Sequence, residues 1–337
     1  MPNELVKIGI LGTTEAFEVE DTTARTTADI AVGKAEEALG KFPVSIFEGG
    51  TGGNTLEIAR DNLEIAYDLQ VMLGLYEGRD LMEVFADEIA DYTDEAEWFN
   101  ARVIAGNFTG IRPFDYFDIH LTDGKVFRYR VGAIDPYLHA CDEEITKHHI
   151  IMVPDQVWPD SVPWNTTNTN QGTSTTKNPY LASNLHRWEI NTFYPLMPQK
   201  WKNVMAEHRV LLEERYSTAG AQTNSTGWSW QSVGKVFSLS EIEVYGFSAW
   251  SAFTNSYAIG YDCHFPLFTT TGNRIRRNPS DARCSWWLRS VSAGSSTYAC
   301  TVHGSGYAHS RCGVVRGCSR SALLPSGRVN AHSYGTL

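Results

Sequence analysis

From Leu56 onward the apolar residues recur with helical spacing. Leu56, Ala59, Leu63, Ala66 and Leu73 form one stripe, and Ile58, Ile65, Leu69, Met72 and Tyr76 an adjoining one. A stripe this wide needs cover on more than one side. Gly74 and Gly78 interrupt it, and a second helix is predicted through Leu81, Phe85, Ile89, Tyr92 and Phe99. Its polar side carries Asp80, Glu83, Asp87, Glu88, Asp91, Asp94, Glu95 and Glu97, which read as a solvated face.

The rhythm changes near Gly110. Tyr116–Leu121, the turn Asp123-Gly124 and Val126–Val131 predict a β-hairpin. His148–Pro154 has the continuous apolar run of a buried strand, 164–179 is a polar loop, and helices are expected over Leu181–Tyr194 and Trp201–Tyr216. Short strands and glycine turns follow. Helices followed by many short strands predict an α+β fold.

Residues 1–45 have the character of an arm: a short strand at Glu4–Leu11, then Asp21–Lys41, where a helix would need a partner to be stable. Gly49, Gly50, Gly52 and Gly53 mark a hinge, and no Lys-Ser/Thr follows them to cradle phosphate. The expected organisation is an arm and hinge over 1–54, a helical neck that oligomerises over 55–99, and a head over 100–337.

Composition adds a bias toward recognition. Aromatic residues make up 12% of the 337, with 10 Trp and 15 Tyr, and these types are enriched at binding surfaces. A formal net charge of −11 argues against binding a nucleic-acid backbone, since the densest basic run, Arg274–Arg277, holds three arginines. No apolar window reaches the length of a membrane span or a secretory leader, which predicts synthesis in a cytoplasm and no membrane insertion.

Six cysteines form no CxxC pair, so no zinc site and no disulfide framework is expected. Adjacent strand residues such as His148 and His149 point to opposite faces and cannot share one metal ion. One is expected in the core and one at the surface. No carboxylate pair, EF-hand loop or GxSxG elbow stands out. The chain is therefore read as a non-enzyme without cofactor or metal.

The most informative motif is Ser285-Trp286-Trp287-Leu288-Arg289-Ser290, followed by Arg320-Ser321-Ala322-Leu323-Leu324. With Leu239–Gly246, Phe265–Phe268, Gly227–Trp230 and His148–Asp155, it resembles phage proteins ending in a C-type-lectin-like domain. Those proteins carry a WWLRS strand and a closing RPALL-type strand, and several are variable proteins of diversity-generating retroelements. The resemblance covers roughly residues 100–330. It departs at Ser321, where the family usually has Pro, and at Cys318-Ser319, where it usually has Gly-Val.

The resemblance implies a C-type-lectin-like head with a variable segment near 290–317. In that segment Thr301, His303, Ser305, Tyr307, His309 and Arg311 alternate with Val302, Gly304, Gly306 and Ala308, so the first set is expected outward. Ser292, Ala293, Ser295 and Ser296 are expected to join it in contacting ligand. Its Tyr, Ser and His content suits an adaptable binding surface, while Trp286, Trp287 and Leu288 anchor the frame and Arg289 holds a loop.

The implied function is a virion-attached receptor-binding or adhesion protein. Its partners would be a host cell-surface receptor, protein or glycan, and other virion proteins through the arm. A homotrimer is expected, because virion spikes favour cyclic symmetry. A capsid decoration protein is the alternative within binding proteins. A copper oxidase of the formylglycine-generating type, using Cys312 and Cys318, is the alternative from another class. The calcium motifs of sugar-binding lectins, Glu-Pro-Asn and Trp-Asn-Asp, do not occur.

Overall fold

The computed structural model describes residues 29–32, 34, 58–59, 65–72, 75–251, 261–313, 321–323 and 326–329. The expected strand at Glu4–Leu11, the glycine hinge, residues 314–317 of the variable segment and Cys318 lie outside them. The chain divides into two compact units, Met1–Met72 and Leu73–Leu337. In the first, a helix spans Ile65–Met72, with Leu69 and Met72 exposed.

The helical pattern stops before Tyr76, which belongs to the second unit. Its buried ring sends the hydroxyl to Asp115, a fully buried carboxylate that also accepts from the Arg79 and Arg112 backbone N–H groups at 2.9 and 3.0 Å. The expected second helix is three short ones, Leu81–Val84, Ala86–Ile89 and Glu95–Ile104. Two of the acidic residues start them: Asp80 caps Met82 N–H and Asp94 caps Glu97 N–H, both at 2.9 Å. These helices belong to the same unit as the sheets. Phe99 packs edge-on against Phe117 at 5.1 Å, and Phe117 against Trp201 at 5.2 Å.

The strands are β1 (Tyr116–His120), β2 (Val126–Ile134), β3 (Ile150–Pro154), β4 (Val157–Ser161), β5 (Met205–Ala206), β6 (Arg209–Glu214), β7 (Gly227–Ser232), β8 (Val236–Phe237), β9 (Arg276–Arg277), β10 (Arg283–Cys284), β11 (Trp286–Val291), β12 (Tyr298–Val302), β13 (Ala308–Cys312), β14 (Ser321–Leu323) and β15 (Ser326–Val329). Among the described residues one sheet runs β1-β2-β3-β15-β5, with β8 also on β15, and another runs β13-β12-β11-β14-β4. The fold is α+β. The hairpin β1–β2 and the wholly buried β3 match the sequence pattern.

The expected helix over Trp201–Tyr216 is half correct. A helix spans Gln199–Val204, after which the chain becomes β5 and β6. Arg209–Glu214 pairs along its whole length with Gly227–Ser232, a long-range partner that overrides the local helical preference. The helix expected over Leu181–Tyr194 is present as Pro179–Ala182, Asn184–Trp188, a π-turn over Glu189–Phe193 and a 3-10 turn to Leu196.

Three indoles fix the second sheet. Trp286 and Trp287 on β11 are fully buried, as is Trp164, and each N–H reaches a carbonyl: Trp286 to Arg274 at 3.0 Å, Trp287 to Val162 at 2.8 Å and Trp164 to Leu288 at 3.1 Å. Each thus buries a large apolar area without stranding a donor. Trp287→Ala is expected to destabilise the second unit by about 3–5 kcal/mol, read as a lower urea midpoint; an unchanged midpoint would contradict this packing.

The π-turn places Glu189, also fully buried, where it accepts from Ser238 Oγ at 2.5 Å and from Tyr180 Oη. Burial raises its pKa from 4.5 to about 8. Folded protein then keeps a proton that the unfolded chain has released, so this contribution is complete below pH 4.5 and is lost as pH rises through about 8. His149 is shifted the other way, from 6.5 to about 4, so its effect falls at lower pH. Stability is expected to fall by about 1 kcal/mol between about pH 7 and about pH 8. Glu189→Gln should flatten that slope in urea titrations at the two pH values.

Candidate functional site

The framework of the site begins at Arg289. Its guanidinium, 4% exposed, donates to both oxygens of the fully buried Glu243 at 2.6 and 2.8 Å and to Asp262 at 3.3 Å. Burial opposes the Arg289 charge, but the two carboxylates outweigh it and hold the group protonated. Glu243 lies on the helix Glu241–Tyr245, where it also completes a capping box with Ser240.

Glu241 of the same helix is fully buried and serves a second loop. It accepts from the backbone N–H groups of Ala249, Trp250 and Ser251 at 2.9–3.1 Å and from Ser251 Oγ at 2.8 Å. Ala293 N–H then bonds to the Trp250 carbonyl at 2.7 Å. The Trp250 indole donates to the Ala308 carbonyl at 3.2 Å and lies along β13 with 46% of its surface exposed.

The hairpin β12–β13 carries most of the expected ligand contacts. His303 N–H bonds to the Tyr307 carbonyl at 2.9 Å and Gly306 N–H to the His303 carbonyl at 2.7 Å, closing the turn. Gly306 has φ +85°, and a Cβ there would meet Thr271 O at 2.7 Å, so the position demands glycine. His303 and Tyr307 stack at 4.3 Å, His303 and His309 lie 6.0 Å apart, and Trp250 and His309 6.4 Å apart, with planes within 25°. Tyr307 is 50% exposed. Together they form an exposed aromatic strip.

Backbone contacts set the two imidazoles oppositely. His303 Nδ1 faces the Ser305 N–H at 3.1 Å and so accepts, whereas His309 Nδ1 faces the Ser310 carbonyl at 2.6 Å and so donates. In their neutral forms His303 Nε2 therefore carries a proton and His309 Nε2 a lone pair. Desolvation, together with the charges of His309 and Arg311, holds the His303 pKa below its usual value.

Two expected contacts are corrected. Thr301 is 1% exposed and Ser292 3% exposed. Period-two alternation fails for Thr301 because β12 is interior to the sheet and buried on both faces: Ala299, Cys300 and Val302 are fully buried as well. Ser292 is enclosed by Arg215, whose Nη1 donates to the carbonyls of Ser292 and Ser295 at 2.8 and 3.0 Å. Ser295 and Ser296 are half-buried, with carbonyls engaged by Asn170 at 2.9 and 3.0 Å, and Ala293 is half-buried beside them. His303, Ser305, Tyr307, His309 and Arg311 all retain access to solvent. Trp250, with Phe247 (60% exposed) and Tyr298 (43%), was not anticipated. An aromatic residue in the small-residue run Ser248–Ala252 was the available signal.

His149 is buried and His148 half-exposed, as the sequence suggested, and both face Asp135. Cys141, Cys263, Cys284 and Cys300 are free thiols, with burial pushing Cys141 up to about 11 and Cys263 up to about 12, so neither is a ready thiolate. Cys312 Sγ bonds to Asn168 Oδ1 at 2.7 Å. Among the described residues no group of three or more His, Cys, Asp or Glu side chains could hold a metal ion, and no helix is long and apolar enough to cross a membrane.

Residues 146–324, just over half the chain and including the whole strip, match the model of the family described as a domain of unknown function, DUF6273. The chain belongs to this family. No curated protein and no solved structure matches it. The DUF6273 segment runs from the approach to β3 through β14, so it contains Arg289, Glu241, Glu243 and the β12–β13 hairpin.

Substitution within the DUF6273 hairpin should separate surface from frame. Tyr307→Ala is expected to change folding stability by less than about 1 kcal/mol. Thr301→Lys, which strands a charge in the sheet, should cost several times as much, and urea titration of the two variants checks the difference.

Proposed function

We propose that this chain is a phage virion-attached receptor-binding protein whose C-type-lectin-like head presents the β12–β13 hairpin to a host cell-surface receptor. The observation that carries the reading is the exposed strip of Trp250, His303, Tyr307 and His309 on a frame whose own polar groups are buried and paired. Exposed aromatics on a rigid support lose little conformational entropy on binding. The pairing of Trp286 with Ser321 supports the lectin-like assignment, because it sets the WWLRS strand beside the closing strand as the resemblance implies. Exposed Leu69 and Met72 in the first unit support assembly as a homotrimer through the N-terminal region.

The strip suits diversification of its side chains, since His303, Ser305, Tyr307 and Arg311 can change without touching Arg289 or the buried indoles. A virion carrying many copies would raise weak single-site affinity by about 10²–10⁴-fold. Adsorption of phage bearing Ala at Trp250, His303, Tyr307 and His309 tests the reading. The expected result is lost adsorption with an unchanged circular dichroism spectrum of the full chain. Tyr307→Ala or Trp250→Ala alone should cost about 2 kcal/mol of binding. A folded four-fold variant that adsorbs at the wild-type rate would remove this surface from receptor binding and favour a decoration role.

A further inference from the structure

A second site shares no residue with the aromatic strip. A cleft of about 460 Å³ is lined by Arg128, Arg130 and Arg276, together with Tyr76, Glu77 and Asp155. Arg128 and Arg130 stand two apart on β2 and so project from one face. Arg276, on β9, comes from the basic run that looked too sparse in the sequence for a nucleic-acid backbone. The fold supplies its missing neighbours.

The hydrogen bonds of the three guanidiniums leave capacity unused. Arg128 gives Nε and Nη2 to Asp118, both at 2.9 Å. Arg130 gives Nε to Asp155 at 2.9 Å and Nη1 to the carbonyls of Glu77 and Phe114 at 2.7 and 3.0 Å. Arg276 is 3% exposed; it gives Nε to the Pro154 carbonyl at 3.2 Å and Nη1 to that of Asn273 at 2.6 Å, while its Nη2 is buried with no partner among the described residues. An arginine buried with an idle donor is costly unless something accepts from it. The nearest carboxylate to Arg276 is Asp155, 3.9 Å from Nη1 and already bonded to Arg130. The lining sets three guanidiniums against two carboxylates, Glu77 and Asp155, and Asp118 balances Arg128 from beside it, so the pull on an anion rests on the unused donors and not on net charge. Burial, added to by the Arg130 charge, also holds the Arg276 pKa below its usual value.

We propose that this cleft binds a tetrahedral oxyanion, the phosphate or sulfate group of a small ligand. Guanidinium groups with unused N–H donors match such an anion geometrically and electrostatically. A tetrahedral group offers acceptor oxygens in several directions, as donors arriving from β2 and β9 require. Its negative charge beside Arg276 stabilises that residue in its charged form.

The test uses the full chain in chloride buffer, titrated calorimetrically with inorganic phosphate, sulfate or malonate at equal ionic strength, with melting temperature measured in parallel. Saturable binding of phosphate or sulfate at one site per chain, with a raised melting temperature, is the expected result. Whichever of the two binds more tightly names the source class. Arg128→Gln should weaken binding about tenfold or more. It should leave the chloride melting temperature unchanged, because both Arg128 and its partner Asp118 are about one-third exposed. Asp155→Asn, which removes the carboxylate competing for Arg130 and Arg276, should tighten binding, an effect opposite in sign to simple damage. The proposal fails if no saturable binding is seen, if Arg128→Gln binds like the wild type, if Asp155→Asn does not bind more tightly, or if malonate, whose charge sits on two carboxylates and not on a tetrahedral group, binds as well as phosphate.

Discussion

The Arg289–Glu243 pair is the constraint on which the rest of the second unit depends. It joins the central strand β11 to a five-residue helix that has too few internal hydrogen bonds to hold its own position. Tyr137, from the chain that follows β2, adds its hydroxyl to Glu243, and Asp262 adds a second carboxylate to Arg289. Four separated segments therefore meet at one guanidinium. Burying such a pair is expensive in desolvation, and deleting one member strands the other at a cost of about 3–5 kcal/mol. What the arrangement supplies is position: a bidentate contact fixes both the distance and the orientation of β11 relative to the helix.

That helix then distributes the constraint. Glu243 looks to the frame while Glu241, two residues earlier, organises the loop that carries Trp250. The exposed indole is thus two hydrogen-bonded steps from the buried ion pair, and its position is set by buried groups. Arg215 acts similarly on the loop after β11, where it holds main-chain carbonyls and leaves side-chain identity open.

Much of the frame was legible in the sequence because its signals are local. Alternation and Asp123-Gly124 gave away the β1–β2 hairpin, continuous apolarity marked β3, and paired tryptophans marked β11. What escaped notice depends on distant partners. Residues 209–214 fall within the helix expected over Trp201–Tyr216 until β7 is available to pair with β6. Thr301 alternates correctly with its neighbours, yet β12 lies between β11 and β13 and is buried on both faces, which the alternation cannot report. The arginine cleft was invisible for the same reason, since β2 and β9 are adjacent only in the folded molecule.

The glycine at the tip of the β12–β13 turn limits how this surface can evolve. With Gly306 pressed against the Thr271 carbonyl, the loop has no slack for an added or deleted residue, and its path over the neighbouring segment is set. Novelty must come from exchanging side chains on a contour of constant length. If the proposed receptor-binding role holds, sequences sharing this turn would explore many chemistries over one topography, and would pass from one target to another by altering polarity and aromatic content while the outline they offer stays the same.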